Sequence, residues 1–193
     1  HLFGGIGLIS GLVGSGLLIA GVLLGFATGR WQTSAVLALY VVTTLAYSKI
    51  FKPVAVVDLA LVASGFVLRA MGGAVATDVP MSKWFVLVTV FGSLFIVAGK
   101  RYAELREMGE EAATTRATLQ SYSLSYLRQV LSVSVGATLV AYCLWAFETA
   151  EANPSDFHYY ELTILPMMVA LLRYLLILEQ GHGGAPEEVF VAD

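Results

Sequence analysis

The sequence is poor in charged residues and has almost no cysteine, and both shortages exclude classes of protein. Aspartate, glutamate, lysine and arginine make up 13% of its 193 residues, whereas a soluble domain carries about 25%. The single cysteine, Cys143, lies inside an apolar run and cannot form a disulfide framework. Three scattered histidines offer no zinc-ligand spacing with it. The composition therefore argues against a soluble domain, a disulfide-rich secreted domain and a zinc protein.

Sequence signatures of several common functions are also lacking. The chain contains no Walker phosphate loop and no dinucleotide-binding fingerprint. No nucleophilic triad can be assembled from its residues, and nothing in it suggests binding to nucleic acid. A function must therefore be sought among the few charged residues and their position relative to the apolar runs.

Apolar residues in long runs are what the sequence has in abundance. They account for 58% of the chain, and the mean hydropathy is +0.77. Several runs approach or exceed the roughly 18 apolar residues that indicate a transmembrane helix. We predict an all-α fold, a polytopic transmembrane helical bundle with six spans. The spans are Ile6–Phe26, Gln32–Tyr47, Val54–Ala76, Trp84–Gly99, Tyr126–Phe147 and Tyr160–Leu178.

Lysine and arginine are unevenly distributed over the connections between these spans. Six lie in the second and fourth connections, residues 49–57 and 100–125, and two in the other three connections. The positive-inside rule places the two richer connections in the cytoplasm. We therefore expect a multi-pass protein of the plasma (inner) membrane with its site facing the cytoplasm, where soluble charged metabolites are available.

One stretch, Tyr47–Arg69, gathers charge at the start of the third span. Asp58 and Arg69 are eleven residues apart, so they lie on nearly the same helix face, roughly 16 Å apart along the axis. Two ionisable groups on one face of a membrane helix are costly unless they line a polar cavity. This face is the first candidate for a site.

A second candidate is the pair of adjacent cations that follow the fourth span. Lys100 and Arg101 are placed to pair with Glu104, which predicts a helix that continues beyond the span until Gly109 ends it. One interpretation is a solvated helix end. The other is that these cations, together with Lys52, hold phosphate oxygens, while a nearby carboxylate shares a Mg²⁺. The second interpretation predicts a membrane enzyme that uses a diphosphate with Mg²⁺.

Several motifs resemble the UbiA superfamily of intramembrane prenyltransferases. They are Tyr47-Ser48 with Lys52 and Asp58, the stretch GFVLRA at 65–70, and the stretch GKRYAEL at 99–105, which is the most specific. The similarity extends over nearly the whole chain and is strongest to a phosphoribosyltransferase branch of that superfamily.

The resemblance implies a nine-span fold, of which the six spans here would match the third to the eighth. Residues 1–193 are then a single transmembrane domain that lacks the first two spans and the last span of the family. The family's first aspartate-rich motif has no counterpart in this sequence. Its second motif is often DxxxD, whereas here Asp58 is followed by Val62.

The implied activity is transfer of 5-phosphoribose from 5-phosphoribosyl diphosphate to decaprenyl (polyprenyl) phosphate, with release of diphosphate, in the synthesis of cell-wall arabinogalactan precursors. The resemblance makes Asp58 the catalytic and Mg²⁺-binding residue. It implies substrate binding by Tyr47, Lys52, Arg69, Lys100, Arg101, Glu104 and Tyr126. Two other readings remain open: a prenyltransferase that joins a polyprenyl diphosphate to an aromatic acceptor, and a non-catalytic membrane subunit. A homo-oligomer is compatible with all three readings.

Overall fold

A computed structural model shows a bundle of helices packed side by side. It describes residues 31–108, 117–153 and 158–181, together with Gly21 and Leu23. Among these residues there is no strand, and five helical segments are long and apolar enough to cross a membrane. The predicted class, a helical membrane bundle, is confirmed. The predicted first span, Ile6–Phe26, lies outside the described residues except at two positions.

The helices follow the apolar runs, because a chain in lipid must satisfy its backbone hydrogen bonds within each helix. In chain order they are α1 (Trp31–Ala46), α2 (Val57–Thr77), α3 (Lys83–Met108), α4 (Leu124–Ala152), α5 (Tyr159–Leu162) and α6 (Ile164–Gln180). A π-helical turn, Tyr47–Phe51, extends α1, and a 3₁₀ turn, Ala117–Ser121, precedes α4.

Two helix boundaries have clear local causes. α3 runs on to Met108, which confirms that the fourth helix continues past its apolar span; Gly109, the predicted end, lies outside the described residues. The last span is interrupted at Thr163, between α5 and α6. Pro166 explains this break, since its ring has no N–H and would clash with the carbonyl four residues earlier.

Helix α3 lies at the centre of the bundle, packed against α2, α4 and α6. It approaches α6 closely at Gly99. A Cβ at that position would lie 2.8 Å from Oη of Tyr174 and 3.0 Å from Cδ1 of Leu178. A residue without a side chain is what permits such close helix packing in a membrane. This contact holds the charged end of α3, residues 100–104, next to the end of α6.

Helices α3 and α4 run antiparallel, as contacts at both of their ends show. At one end Nζ of Lys83 lies 3.6 Å from Oε2 of Glu148. At the other end Nη2 of Arg128 donates to Oη of Tyr102 at 3.2 Å. The second end also holds the start of α2, and we call it the Asp58 end. It is the end that the basic connections predict to face the cytoplasm.

Candidate functional site

The start of α2 places an acidic side chain inside the bundle. α2 begins at Val57, so Asp58 lies in its first turn, where the free backbone N–H groups of a helix favour negative charge. The side chain of Asp58 is fully buried, with 0% of its surface exposed. A carboxylate that is removed from solvent in this way needs hydrogen-bonding partners for both of its oxygens.

Both oxygens of Asp58 find partners on other elements. Oη of Tyr47, in the π-helical turn, donates to Oδ1 at 2.7 Å. Nε of Arg101 donates to Oδ2 at 2.8 Å, and Nη2 of Arg101 lies 3.3 Å from Oδ1. Two N–H groups facing two carboxylate oxygens form the strong bidentate pairing of arginine. One carboxylate therefore joins the π-helical turn, α2 and α3.

Arg101 is shared between two carboxylates. Its Nη1 lies 3.4 and 3.2 Å from the two oxygens of Glu104, and its side chain is only 5% exposed. The sequence spacing allowed Glu104 to pair with either Lys100 or Arg101, and in the structure it pairs with Arg101. We call Tyr47, Asp58, Arg101 and Glu104 the Asp58 cluster. One guanidinium between two carboxylates leaves this cluster with a net charge of −1.

The two lysines predicted to bind phosphate differ from Arg101 in their surroundings. Lys52 follows the π-helical turn and Lys100 directly precedes Arg101, so both lie at the Asp58 end. Both lysine side chains are exposed, whereas the side chain of Arg101 is buried and paired with Asp58 and Glu104.

Arg69 lies away from the cluster. Its Nη2 and Nε donate to Oη of Tyr40 at 3.0 and 3.2 Å, its guanidinium lies 5.0 Å from the centre of the Phe66 ring, and its side chain is exposed. Asp58 pairs with Arg101 of α3, and Arg69, about three helical turns further along α2, contacts Tyr40. The two residues therefore belong to different sets of contacts. The predicted part of Arg69 in substrate binding remains a prediction.

Tyr122 was not among the predicted site residues, although it lies four residues before Tyr126, which was. The Tyr122 side chain is 6% exposed, and its ring stacks on that of Tyr126 with centroids 5.9 Å apart. Its Oη accepts a hydrogen bond from the backbone N–H of Val56 at 2.7 Å. Burial raises the pKa of the Tyr122 phenol above its ordinary value; the N–H of Val56 opposes that rise and the Asp58 carboxylate adds to it. The phenol is therefore protonated at neutral pH.

An apolar groove of about 770 Å³ begins beside the cluster and runs between α1, α2, α3 and α4. On α2 its lining extends from Val56, just before Asp58, to Leu68, a length of about 18 Å at 1.5 Å per residue. Tyr126 lies on its wall, where the sequence predicted a pocket residue. Most of the lining is aliphatic, including Leu39, Val67, Val90 and Val133.

A second polar cluster, centred on Glu179, lies at the same end and was not predicted from the sequence. Oε1 of Glu179 accepts from Oη of Tyr102 at 3.0 Å and lies 3.2 Å from Nε of Arg128. Arg106 lies 3.6 Å from Oε2 of Glu179. These contacts tie α6 to α3 and α4. The available signal was Tyr102, a residue of the GKRYAEL stretch next to Arg101.

The described residues contain no cluster of three metal-ligating side chains. Within residues 31–108, 117–153 and 158–181, no three histidine, cysteine, aspartate or glutamate side chains are grouped to hold a metal. The two oxygens of Asp58 are already bound by Tyr47 and Arg101, and Mg²⁺ requires an open oxygen ligand at short distance. A metal ion at Asp58 would share these oxygens with Tyr47 and Arg101.

Curated proteins related to this chain carry one name, decaprenyl-phosphate phosphoribosyltransferase. The relative from Mycolicibacterium smegmatis is 44% identical over 172 residues, which is 84% of this chain and 54% of the relative. The relative from Corynebacterium glutamicum is 40% identical over 86% of this chain and 50% of its own length. One from Mycobacterium tuberculosis is 41% identical over 86% and 55%.

These names confirm the phosphoribosyltransferase branch that the sequence motifs resembled, and a UbiA-type membrane prenyltransferase is consistent with them. No protein-family model matches the chain. The chain spans about half the length of the curated relatives that it matches.

Proposed function

We propose that this chain is part of a decaprenyl-phosphate phosphoribosyltransferase. Such an enzyme moves 5-phosphoribose from 5-phosphoribosyl diphosphate to a polyprenyl phosphate and releases diphosphate, a step that supplies cell-wall arabinan precursors. The observation that carries the proposal is the identity of 40–44% to relatives of that name over 84–86% of the chain. Neither an aromatic-acceptor prenyltransferase nor a non-catalytic subunit has comparable support.

The groove and the exposed lysines at the Asp58 end have the chemistry that a lipid phosphate requires. A polyprenyl chain is apolar, so the largely aliphatic groove between α1 and α4 suits it. Its phosphate would then lie towards the Asp58 end, near the exposed Lys52 and Lys100. A site of this kind brings a membrane-bound acceptor and a soluble donor together at the membrane surface.

The reaction places clear demands on the protein. An oxygen of the lipid phosphate forms a bond to C1 of the ribose, and the bond from C1 to the diphosphate oxygen breaks. Because the phosphate is already an anion at neutral pH, no side chain has to remove a proton. Rate enhancement then comes from orienting the two anions and stabilising the charge that develops on the diphosphate.

The charged side chains divide into two groups under this proposal. Lys52 and Lys100 bind phosphate oxygens as exposed point charges. Asp58 and Glu104 hold Arg101 in one orientation, so that the Asp58 cluster gives the phosphate-binding end a fixed structure. Dependence on Mg²⁺ and metal binding by Asp58 remain predictions of the family resemblance. They are tested by removing Mg²⁺ with a chelator and restoring activity with Mg²⁺.

The proposal is tested with the full-length protein in lipid vesicles. Labelled 5-phosphoribosyl diphosphate and polyprenyl phosphate should yield a labelled lipid and free diphosphate. A parallel reaction with labelled polyprenyl diphosphate and an aromatic acid should yield no product. Labelled product in the second reaction alone would establish the prenyltransferase instead, and no product in either would favour a non-catalytic subunit.

A further inference from the structure

The backbone just before Asp58 adopts a strained conformation. Val56 has φ 66° and ψ −47°, and the N–H of Val57 donates to the carbonyl of Ala55 at 2.8 Å. This is a γ-turn with positive φ, the rarer and more strained of the two γ-turn forms. A β-branched residue is especially disfavoured there, since its Cβ crowds the backbone when φ is positive. Strain of this kind persists only where the surrounding structure imposes it.

The strained turn at Val56 is contacted by a residue far along the chain. Val56 is the N-cap residue of α2, and its side chain makes no capping hydrogen bond. Its backbone N–H is instead bound by Oη of Tyr122, 66 residues later, at 2.7 Å. Because Tyr122 is protonated and almost fully buried, its position is set by its packing just before α4. The turn is thus anchored to the segment between the 3₁₀ turn and α4.

We propose that Tyr122 is a positioning residue for the Asp58 cluster. By holding the Val56 N–H it keeps the γ-turn closed, and the closed turn determines where α2 begins. Asp58 follows two residues later, and its own N–H donates to the carbonyl of Val54 across the same turn at 2.9 Å. The orientation in which Asp58 meets Arg101 therefore depends on a hydroxyl that touches neither residue.

The competing interpretation is that the Tyr122 ring only fills space beneath Tyr126. The two interpretations differ in what the hydroxyl does. Tyr122→Phe keeps the ring and its stacking on Tyr126 but removes the acceptor for the Val56 N–H. Val56→Gly acts on the other side of the contact, because glycine adopts positive φ without strain and needs no external contact to keep the turn closed.

The test is a double-mutant cycle in the full-length protein with Tyr122→Phe, Val56→Gly and the combination. Tyr142→Phe is the matched control, since it removes a part-buried hydroxyl bonded to Thr163 at the other end of α4. We expect Tyr122→Phe to raise the KM for 5-phosphoribosyl diphosphate about tenfold, the factor for one lost hydrogen bond. In the Val56→Gly background the same change should raise KM less than about threefold. Tyr142→Phe should leave KM unchanged.

Thermal unfolding gives a second readout that does not depend on the proposed function, on which the KM measurement rests. Tyr122→Phe should lower Tm by about 2–4 °C with Val56 present and by clearly less with glycine at that position. If the stability cycle shows this coupling in a protein without phosphoribosyl transfer, the proposed function fails and the anchoring contact stands. Equal effects of Tyr122→Phe in both backgrounds, or no effect in either, would overturn the positioning role.

Discussion

At the residue scale, the main feature of the site is a buried ion pair between Asp58 and Arg101. Asp58 is 0% and Arg101 5% exposed at their side chains, so both have lost their hydration. Such a pair stabilises the fold little relative to an apolar pair, but removing one partner leaves an uncompensated buried charge. The contacts of Arg101 with the protein therefore fix its position more than they leave it available to bind substrate.

The first prediction concerns Asp58. Asp58→Asn removes the two-point ionic contact with Arg101, whose charge then has Glu104 as its carboxylate partner among the described residues, so the free energy of unfolding should fall by about 1–3 kcal/mol. Activity should fall at least about 100-fold, equivalent to about 2.7 kcal/mol in the barrier. Thermal unfolding and initial rates of the full-length protein measure both.

Arg101→Gln and Asp58→Asn together form a double-mutant cycle that tests this ion pair. Adding Arg101→Gln to Asp58→Asn should cost much less than the sum of the two single changes, because each removes the same interaction. Additive losses of stability would show that the two side chains do not act as a pair. A fully active, fully stable Asp58→Asn variant would remove the cluster from the site.

The second prediction separates the two adjacent cations. Lys100 is exposed, so Lys100→Gln should leave Tm unchanged and raise the KM for 5-phosphoribosyl diphosphate by about three- to tenfold. Its effect should weaken at high salt, since exposed charges are screened. Arg101→Lys should instead lower Tm, because lysine cannot replace the two-point contact with Asp58. A loss of stability in Lys100→Gln would contradict this division.

At the element scale, the central helix α3 determines how the Asp58 end is built. Gly99 lets α6 approach closely, and one turn further on Arg101 and Tyr102 reach in different directions, to Asp58 and to Glu179. The GKRYAEL stretch therefore combines a packing residue with residues of two polar clusters. This combination gives the stretch a physical reason for its specific sequence.

The third prediction tests the role of Gly99 in packing α3 against α6. Gly99→Ala places a methyl group 2.8 Å from Oη of Tyr174 and should destabilise the protein by about 1–3 kcal/mol. Gly136→Ala in α4 is the control, because a Cβ there meets nothing within 4 Å; it should be neutral or stabilising by up to about 1 kcal/mol. Tyr174→Phe should recover part of the loss in Gly99→Ala. If both alanine variants unfold at the same temperature, the close approach of α3 and α6 is not limiting.

At the scale of the whole molecule, the five described spans arrange the chain so that its basic connections meet at one end. The Asp58 cluster, the second polar cluster around Glu179 and the beginning of the groove all lie at that end. The opposite end carries Lys83, Trp84 and Glu148 in mutual contact. A site at the first end can receive a soluble donor only if that end faces the cytoplasm, as the distribution of lysine and arginine predicts.

The fourth prediction tests this orientation. In a Cys143→Ala background, single cysteines at Glu107 and Asn153, both exposed at opposite ends of the bundle, should react with a membrane-impermeant reagent from opposite sides. The position at Glu107 should react only when the cytoplasmic face is accessible, as in inverted vesicles. Reaction of both positions from one side would refute the antiparallel arrangement in the membrane, and exchanged sides would place the site outside the cytoplasm.

Much of the architecture followed from local rules that the sequence states directly. Apolar runs predicted five spans to within several residues, and the Arg101–Glu104 spacing predicted the extension of α3. The partner of Asp58 was not predicted, because helix phase relates residues on one helix and says nothing about which neighbouring helix supplies a partner. The contact of Tyr122 with Val56 was not predicted for the same reason, since the two residues are 66 positions apart in the chain.

The sequence by itself determined that this is a helical membrane protein, where its spans lie and which branch of proteins it resembles, because hydropathy, helical period and motif are properties of contiguous residues. Tertiary structure alone decided that Asp58 is enclosed by Tyr47 and Arg101, that Arg69 is turned towards Tyr40, and that a tyrosine before α4 holds the turn before α2. Burying a charge is tolerated only when partners arrive from elsewhere, and the partners are chosen by helix packing. The contact between α3 and α6 at Gly99 is one example, because it requires a residue without a side chain at that position.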